Sequence, residues 1–157
     1  AVNLAEANKA FVYENSDNLF FILAPMATKT FKNEATALEI ANRAKDILDA
    51  HNKMMQQKIK FGIGINDGTI IAKMENGELK FMGMGTLLPL TRKIASVSNG
   101  EVYLGEKTKI RLGGNVKTNK IKKDGVVIYS ITDIRYQEDH SKFLSGFLRR
   151  MEKDDKK

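Results

Sequence analysis

The run Lys60-Phe61-Gly62-Ile63-Gly64-Ile65-Asn66-Asp67-Gly68-Thr69-Ile70-Ile71 constrains this chain more than any other stretch. Apolar β-formers lie on both sides of an Asn-Asp-Gly step, with three glycines in the same short segment. Residues of this type predict a buried strand, a tight turn and a returning strand, since Asn and Gly tolerate the left-handed backbone that a short hairpin turn requires. Such a hairpin needs further elements to cover it, and the flanking sequence supplies both strand and helix patterns.

Ahead of it, Ala10-Phe11-Val12-Tyr13 is β-prone, Glu14-Asn15-Ser16-Asp17-Asn18 is a group of turn formers, and Leu19-Phe20-Phe21-Ile22-Leu23 is an apolar run bounded by Pro25. That reads as a second hairpin, and the unbroken apolar run predicts a central strand buried on both faces. Asn33 to Lys53 reads as a helix capped by Asn33. Ala37, Leu38, Ile40, Ala41, Ala44, Ile47 and Leu48 form its apolar stripe and charges fill the opposite face. Residues 54–57 form a connector. Beyond the glycine hairpin, the pattern predicts a strand over Glu78–Gly83 and a helix over Leu87–Val97 with Pro89 in its first turn. A strand over Glu101–Leu104, a short helix over Glu106–Arg111 and a strand over Gly125–Ile131 follow. Phe143, Leu144, Phe147, Leu148 and Met151 mark a separate amphipathic helix over His140–Lys153, then a charged tail. The expected organisation is a domain over residues 1–136 and a helix with tail over 137–157. The fold class is an α/β (α+β) sandwich with a mixed or antiparallel sheet flanked by helices.

Bulk properties remove several classes of function. With 157 residues, 42% hydrophobic and 29% charged, the chain is sized for one soluble domain with an extension. No apolar stretch is long enough to span a bilayer, and the start lacks a secretory pattern. Its first residue is Ala, as expected of a processed chain or one cut from something longer. There is no cysteine, so disulfides and thiolate metal sites are impossible, which suits a cytoplasmic location. His51 and His140 are the only histidines, and both sit in polar contexts as solvated residues. The net charge of +7 favours anionic partners in a general way.

Several segments, taken in order, resemble class III nucleotidyl cyclase catalytic domains. Ser16-Asp17 sits where that family has a Gly-Asp turn, and Gly64-Ile65-Asn66-Asp67-Gly68 is similar to its Gly-Ile-x-x-Gly. Phe81-Met82-Gly83-Met84-Gly85-Thr86 resembles its aromatic-x-x-x-Gly-Asp segment. Arg92-Lys93-Ile94 falls on its arginine-bearing helix, and Asn99-Gly100-Glu101-Val102-Tyr103-Leu104 is similar to its Pro-Gly-Glu-Ile-x-Leu strand. The resemblance covers about residues 9–134 and implies a sheet with a ferredoxin-like core. The GGDEF diguanylate cyclase fold is the nearest rival, with Asn15–Phe20 as its eroded signature hairpin; the segment from Phe81 to Leu104 fits the nucleotidyl cyclases better.

The same resemblance implies site residues, and the departures from it bear on activity. The family holds two metal ions with two aspartates on neighbouring strands. Asp17 matches one; the other belongs to the family's first strand, which the sequence starts too late to include. Asp17 is then a metal ligand, or an ordinary turn aspartate bonding local backbone. Thr86 occupies the base-reading position. Tyr13 replaces the base-reading lysine, and Pro89 replaces the asparagine that orients the ribose. Lys93 takes the transition-state arginine position, with Arg92 one residue away. Lysine keeps the charge but loses the planar fork that suits phosphate oxygens. The expectation is a degenerate, non-catalytic domain used for regulation or protein interaction. No cofactor is expected, with Mg2+ and ATP or GTP entering only if a cyclase-type site survives. The resemblance also implies a homodimer or heterodimer, and the alternative is a cyclase completed by a partner chain.

Three further signals have plainer explanations. Lys107, Lys109, Arg111, Lys117, Lys120, Lys122 and Lys123 make residues 105–124 basic. A mobile loop gripping phosphate or nucleic acid is one reading; a solvated loop and hairpin is preferred, because no aromatics are interleaved for base stacking. Gly83 and Gly85 lack the remaining residues of a dinucleotide or P-loop fingerprint and read as a strand-to-helix turn. The terminal helix, which could also dock in a partner's groove or on a membrane surface, is expected to pack on its own domain or in a dimer.

Overall fold

The computed structural model describes residues 1–83 and 85–134. The helix expected over His140–Lys153 lies outside them. The element order is α1 (Val2–Ala7), β1 (Phe11–Asn15), β2 (Asn18–Ile22), α2 (Pro25–Thr28), α3 (Glu34–Met54), β3 (Ile63–Ile65), β4 (Ile71–Glu75), β5 (Glu78–Gly83), α4 (Leu87–Ser96), β6 (Val102–Leu104), α5 (Glu106–Leu112), a 3-10 turn (Gly113–Asn115), β7 (Val116–Lys123) and β8 (Val126–Ile134). This is an α+β fold with mixed and antiparallel pairing.

The centre is a four-stranded sheet in the order β3-β6-β8-β7. β3 and β6 are parallel, and the other pairs are antiparallel. Successive residues point to opposite faces of a strand, so each strand feeds two cores. Val102, Leu104 and Tyr129 pack with Ile65, Leu112 and Val116 against Leu38 and Ala41 of α3. Tyr103, Ile121, Val126 and Ile128 pack on the other face against Ile94 of α4 and Val97 at its end. Fully burying aliphatic side chains of this kind stabilises by roughly 1.5–3 kcal/mol each before entropy is counted. α3 and α4 therefore clamp the sheet from opposite sides.

The glycines of the Lys60–Ile71 run serve that clamp. A Cβ on Gly64 would lie 2.8 Å from both the Thr91 oxygen and the Ala95 nitrogen, and one on Gly62 would collide with the Ala95 carbonyl. α4 rides directly on the β3 backbone, and only glycine permits so close an approach.

The run does not form the expected hairpin. β3 pairs with β6, while β4 belongs to a separate ribbon with β5. The turn is at Asn76-Gly77, where both residues have positive φ, 53° and 80°. Those values match the two-residue turn whose twist fits a hairpin. Residues 66–70 instead carry the chain from one sheet to the other.

β2 is not a central strand. It pairs only with β1, from Phe11↔Ile22 to Asn15↔Asn18, and Leu19 is 49% exposed. Ile22 alone among its residues is buried. The two ribbons meet where Phe11 of β1 places its ring edge-to-face with Phe81 of β5 at 5.1 Å.

α3 begins after Asn33, which holds the N-cap position as expected but without a side-chain capping bond. The Asn33 side chain donates to the Thr30 carbonyl at 3.0 Å instead of capping the helix. Ile47, assigned to the apolar stripe, is 50% exposed, while Glu34 is buried. Residues 105–124 do not form a loop. They fold into α5, which matches the short helix expected over Glu106–Arg111, the 3-10 turn and an edge strand, and the β7–β8 hairpin is as expected.

Candidate functional site

Asp17 occupies the two-residue turn between β1 and β2, where Ser16 has φ 53°. Its carboxylate is exposed, and no side-chain hydrogen bond or ion pair among the described residues involves it. Thr86 is at the N-cap of α4; its side chain is exposed and makes no capping bond. Lys93 lies two turns further along α4, ~10 Å away on the same side, and is also exposed. Geometry thus groups Thr86 with Lys93. Asp17 is at the far end of its hairpin, ~20 Å of strand from the Phe11–Phe81 contact that joins the two ribbons. Tyr13 stacks at a tilt beside Phe20, with ring centroids 6.1 Å apart, and Pro89 is exposed in the first turn of α4.

These residues do not fit a pair of divalent cations. Such ions need several oxygen ligands converging on each of them. Among the described residues no group of three or more His, Asp or Glu side chains is placed to hold one. A groove of about 450 Å3, lined by Asn42, Lys45, Glu101, Thr132 and Asp133 among others, lies between α3 and the end of β8 and includes none of the expected site residues.

The most perturbed polar cluster lies elsewhere and was not anticipated. At the end of β3, the Asn66 side chain lies against Gly105, where a Cβ would collide with its amide oxygen. Next to it, Asp67 has an Oδ2 buried without a hydrogen-bond partner. The fully buried Thr108 hydroxyl donates to the Ile65 carbonyl at 3.3 Å. The buried Glu34 accepts from Arg111 Nη1 at 3.0 Å. Burial pushes the Asp67 carboxyl above the usual carboxylate range. Glu34 pushes the same way, while Thr108, Arg111 and Lys107 oppose the shift. Glu34, then Asp67, hold the Arg111 guanidinium above its ordinary value. The cluster ties α3, α5 and β3 together, with Arg111 already supplying its positive charge. The one sequence signal for it was an acid directly after an apolar strand, which also suits an exposed turn.

By sequence, neither a family model nor a curated protein matches the chain. By structure, it is similar to the guanylyl cyclase Cya2, with a TM-score of 0.62 at 19% identity over 85% of this chain and 75% of that one. The guanylate cyclase domain of RhGC from Catenaria anguillulae, in complex with GTP, gives 0.59 at 17% identity over 85% and 78%. The adenylyl cyclase CyaB from P. aeruginosa gives 0.59 at 15% identity over 86% and 78%. The chain therefore has the fold of a class III nucleotidyl cyclase catalytic domain.

Proposed function

We propose that this domain keeps the cyclase fold without the cyclase reaction and works as a regulatory or protein-interaction module. The observation that carries this reading is the exposure of Asp17 on a turn, with no group of three or more acidic or histidine side chains among the described residues placed to hold a cation. Cyclisation needs the triphosphate charge neutralised and the ribose hydroxyl activated, and metal ions supply both in two-metal chemistry. The remaining departures point the same way. Lys93 offers a point charge in place of a fork, and Pro89 has no polar side chain to hold a ribose. Removing one preorganised electrostatic group commonly costs 10²–10³ in rate, and several are absent together.

Association with a second polypeptide, another copy or a different chain, is part of the proposal. The ribbons leave Leu19, Ile71, Met74 and Met82 exposed, an apolar surface suited to a partner. Similar structures include both monomeric and dimeric crystal forms of the guanylyl cyclase domain of the RhoGC fusion protein from Blastocladiella emersonii. No helix among the described residues is long and apolar enough to cross a membrane. We place the module in the cytoplasm, where a chain without cysteine is at no disadvantage.

The test is to incubate the purified chain with ATP or GTP and Mg2+ or Mn2+ and to measure cyclic nucleotide. No product above a protein-free control is expected; turnover that disappears in Asp17→Ala would overturn the proposal. The free, co-facial Thr86 and Lys93 favour one second reading, a half-site completed by a partner that carries the missing acid and arginine. In that case the mixture gains activity, and Lys93→Ala removes it.

A further inference from the structure

β7 is the outermost strand of the central sheet and pairs with β8 along all eight of its residues. Among the described residues, no strand lies on its other side. The outer edge is ~26 Å long and directs a row of backbone N–H and C=O groups outward.

The register determines which side chains flank that edge. Thr118, Lys120 and Lys122 lie opposite Ile131, Tyr129 and Val127. They share the face covered by α3 and α5. Lys123, on the α4 face, donates from Nζ to the Val97 carbonyl at 3.1 Å and closes the end of α4. Lys120 and Lys122 are exposed and enter no ion pair among the described residues. Lys109 of α5 adds a third charge, its ammonium 5.3 Å from the ring centroid of Tyr129, the residue that Lys120 opposes. Positive charge therefore accumulates on one face beside an open edge.

We propose that this edge receives an extended acidic segment of another polypeptide as an added strand, with carboxylates two residues apart meeting Lys120 and Lys122. Main-chain bonds to an edge supply affinity, and alternate side chains supply specificity. Opposite charges on neighbouring strands attract and like charges repel, so lysines that accept an acidic strand also prevent two β7 edges from pairing. Nucleic acid fits this face less well. Neither β7 nor α5 contains an aromatic residue, and Tyr129 is only 7% exposed beneath Lys109, so bases have no platform on which to stack. The inference is independent of whether the domain has lost catalysis.

The test uses the full chain and three strand-length synthetic peptides: one with glutamate at alternate positions, its glutamine analogue, and the glutamate peptide with alternate backbone N-methylation. Calorimetry gives affinity, and amide NMR locates the bound peptide. The acidic peptide should bind about tenfold more tightly than its glutamine analogue. That preference should shrink with added salt, and the amide shifts should centre on Val116–Lys123. N-methylation should abolish binding. The double variant Lys120→Glu/Lys122→Glu alters only exposed side chains, and with an unchanged melting temperature it should lose the preference. Equal or absent binding of the acidic and glutamine peptides overturns the proposal, as do shifts centred elsewhere. Binding of a single-stranded oligonucleotide to β7 without any binding of the acidic peptide assigns the patch to nucleic acid instead.

Discussion

The clamped sheet and the two ribbons use similar residues to opposite ends. In the sheet, Leu104 and Ile128 are 0% exposed, because α3 and α4 close both faces. In the ribbons, Ile71 is 66% exposed and Met82 60% exposed, although both lie in β-strands. A two-stranded ribbon has no second layer of its own and is marginal in isolation. β1–β2 and β4–β5 lean on one another through Phe11 and Phe81. Stability is therefore concentrated in the stack of helix, sheet and helix, and the ribbons are left with apolar surface available for contact. Asp17, the residue that the cyclase resemblance marks for a metal, is on the less buried side of this division.

The sharpest way to break the comparison is a matched pair of truncations. Leu104→Ala should cost about 2–5 kcal/mol in urea unfolding, since it leaves a cavity between the sheet and α3. Ile71→Ala should stay within about 0.5 kcal/mol of the parent. Equal losses would mean that the ribbon is as tightly packed as the sheet.

A smaller effect is expected at Gly64. Gly64→Ala inserts a methyl against the α4 backbone and should destabilise by roughly 1–3 kcal/mol. The same substitution at Gly83, where an added Cβ meets nothing within 4 Å, is the control and should be near neutral.

The smallest effect belongs to Asp67. Its carboxyl is raised by burial in the fold, so the folded state holds this proton to a higher pH than the unfolded chain does. The stability contributed by the protonated group is complete below the unfolded value near ~4 and is lost as pH rises through the folded value. Asp67→Asn removes the buried ionisation and should raise the melting temperature at neutral pH, while flattening this part of the stability–pH curve. An unchanged pH profile would show that Asp67 is already ionised and solvated in the folded chain.

The sequence made some elements legible and hid others for identifiable reasons. α3 and α4 were visible within a residue or two because a helix that packs on a sheet repeats its apolar residues at its own period. β6 and β8 were visible as short runs of β-formers between turn residues. The Lys60–Ile71 hairpin was misplaced because Asn-Asp-Gly and Asn-Gly carry the same local signal, and only the pairing of β4 with β5 through Asn76-Gly77 distinguishes them. β2 resembled a core strand because hydrophobicity is a property of the residue and burial is a property of its neighbours. Of the candidate site, Thr86 and Lys93 share a side of one helix, as their spacing requires. The Glu34–Arg111 pair joins residues far apart in the chain, so no local pattern announces it.

By itself, the sequence determined α3, α4, α5 and the short strands around the core, since periodicity and turn chemistry are local properties carried by consecutive residues, while the cyclase fold was reached through the resemblance of its ordered motifs. Only the tertiary structure decided which strands pair, that Gly62 and Gly64 exist to admit α4, that Asp67 is buried beside Glu34 and Arg111, and that the lysines of β7 border an open edge. Those outcomes depend on contacts between distant segments, whose free energy comes from surfaces that meet only after the chain has folded.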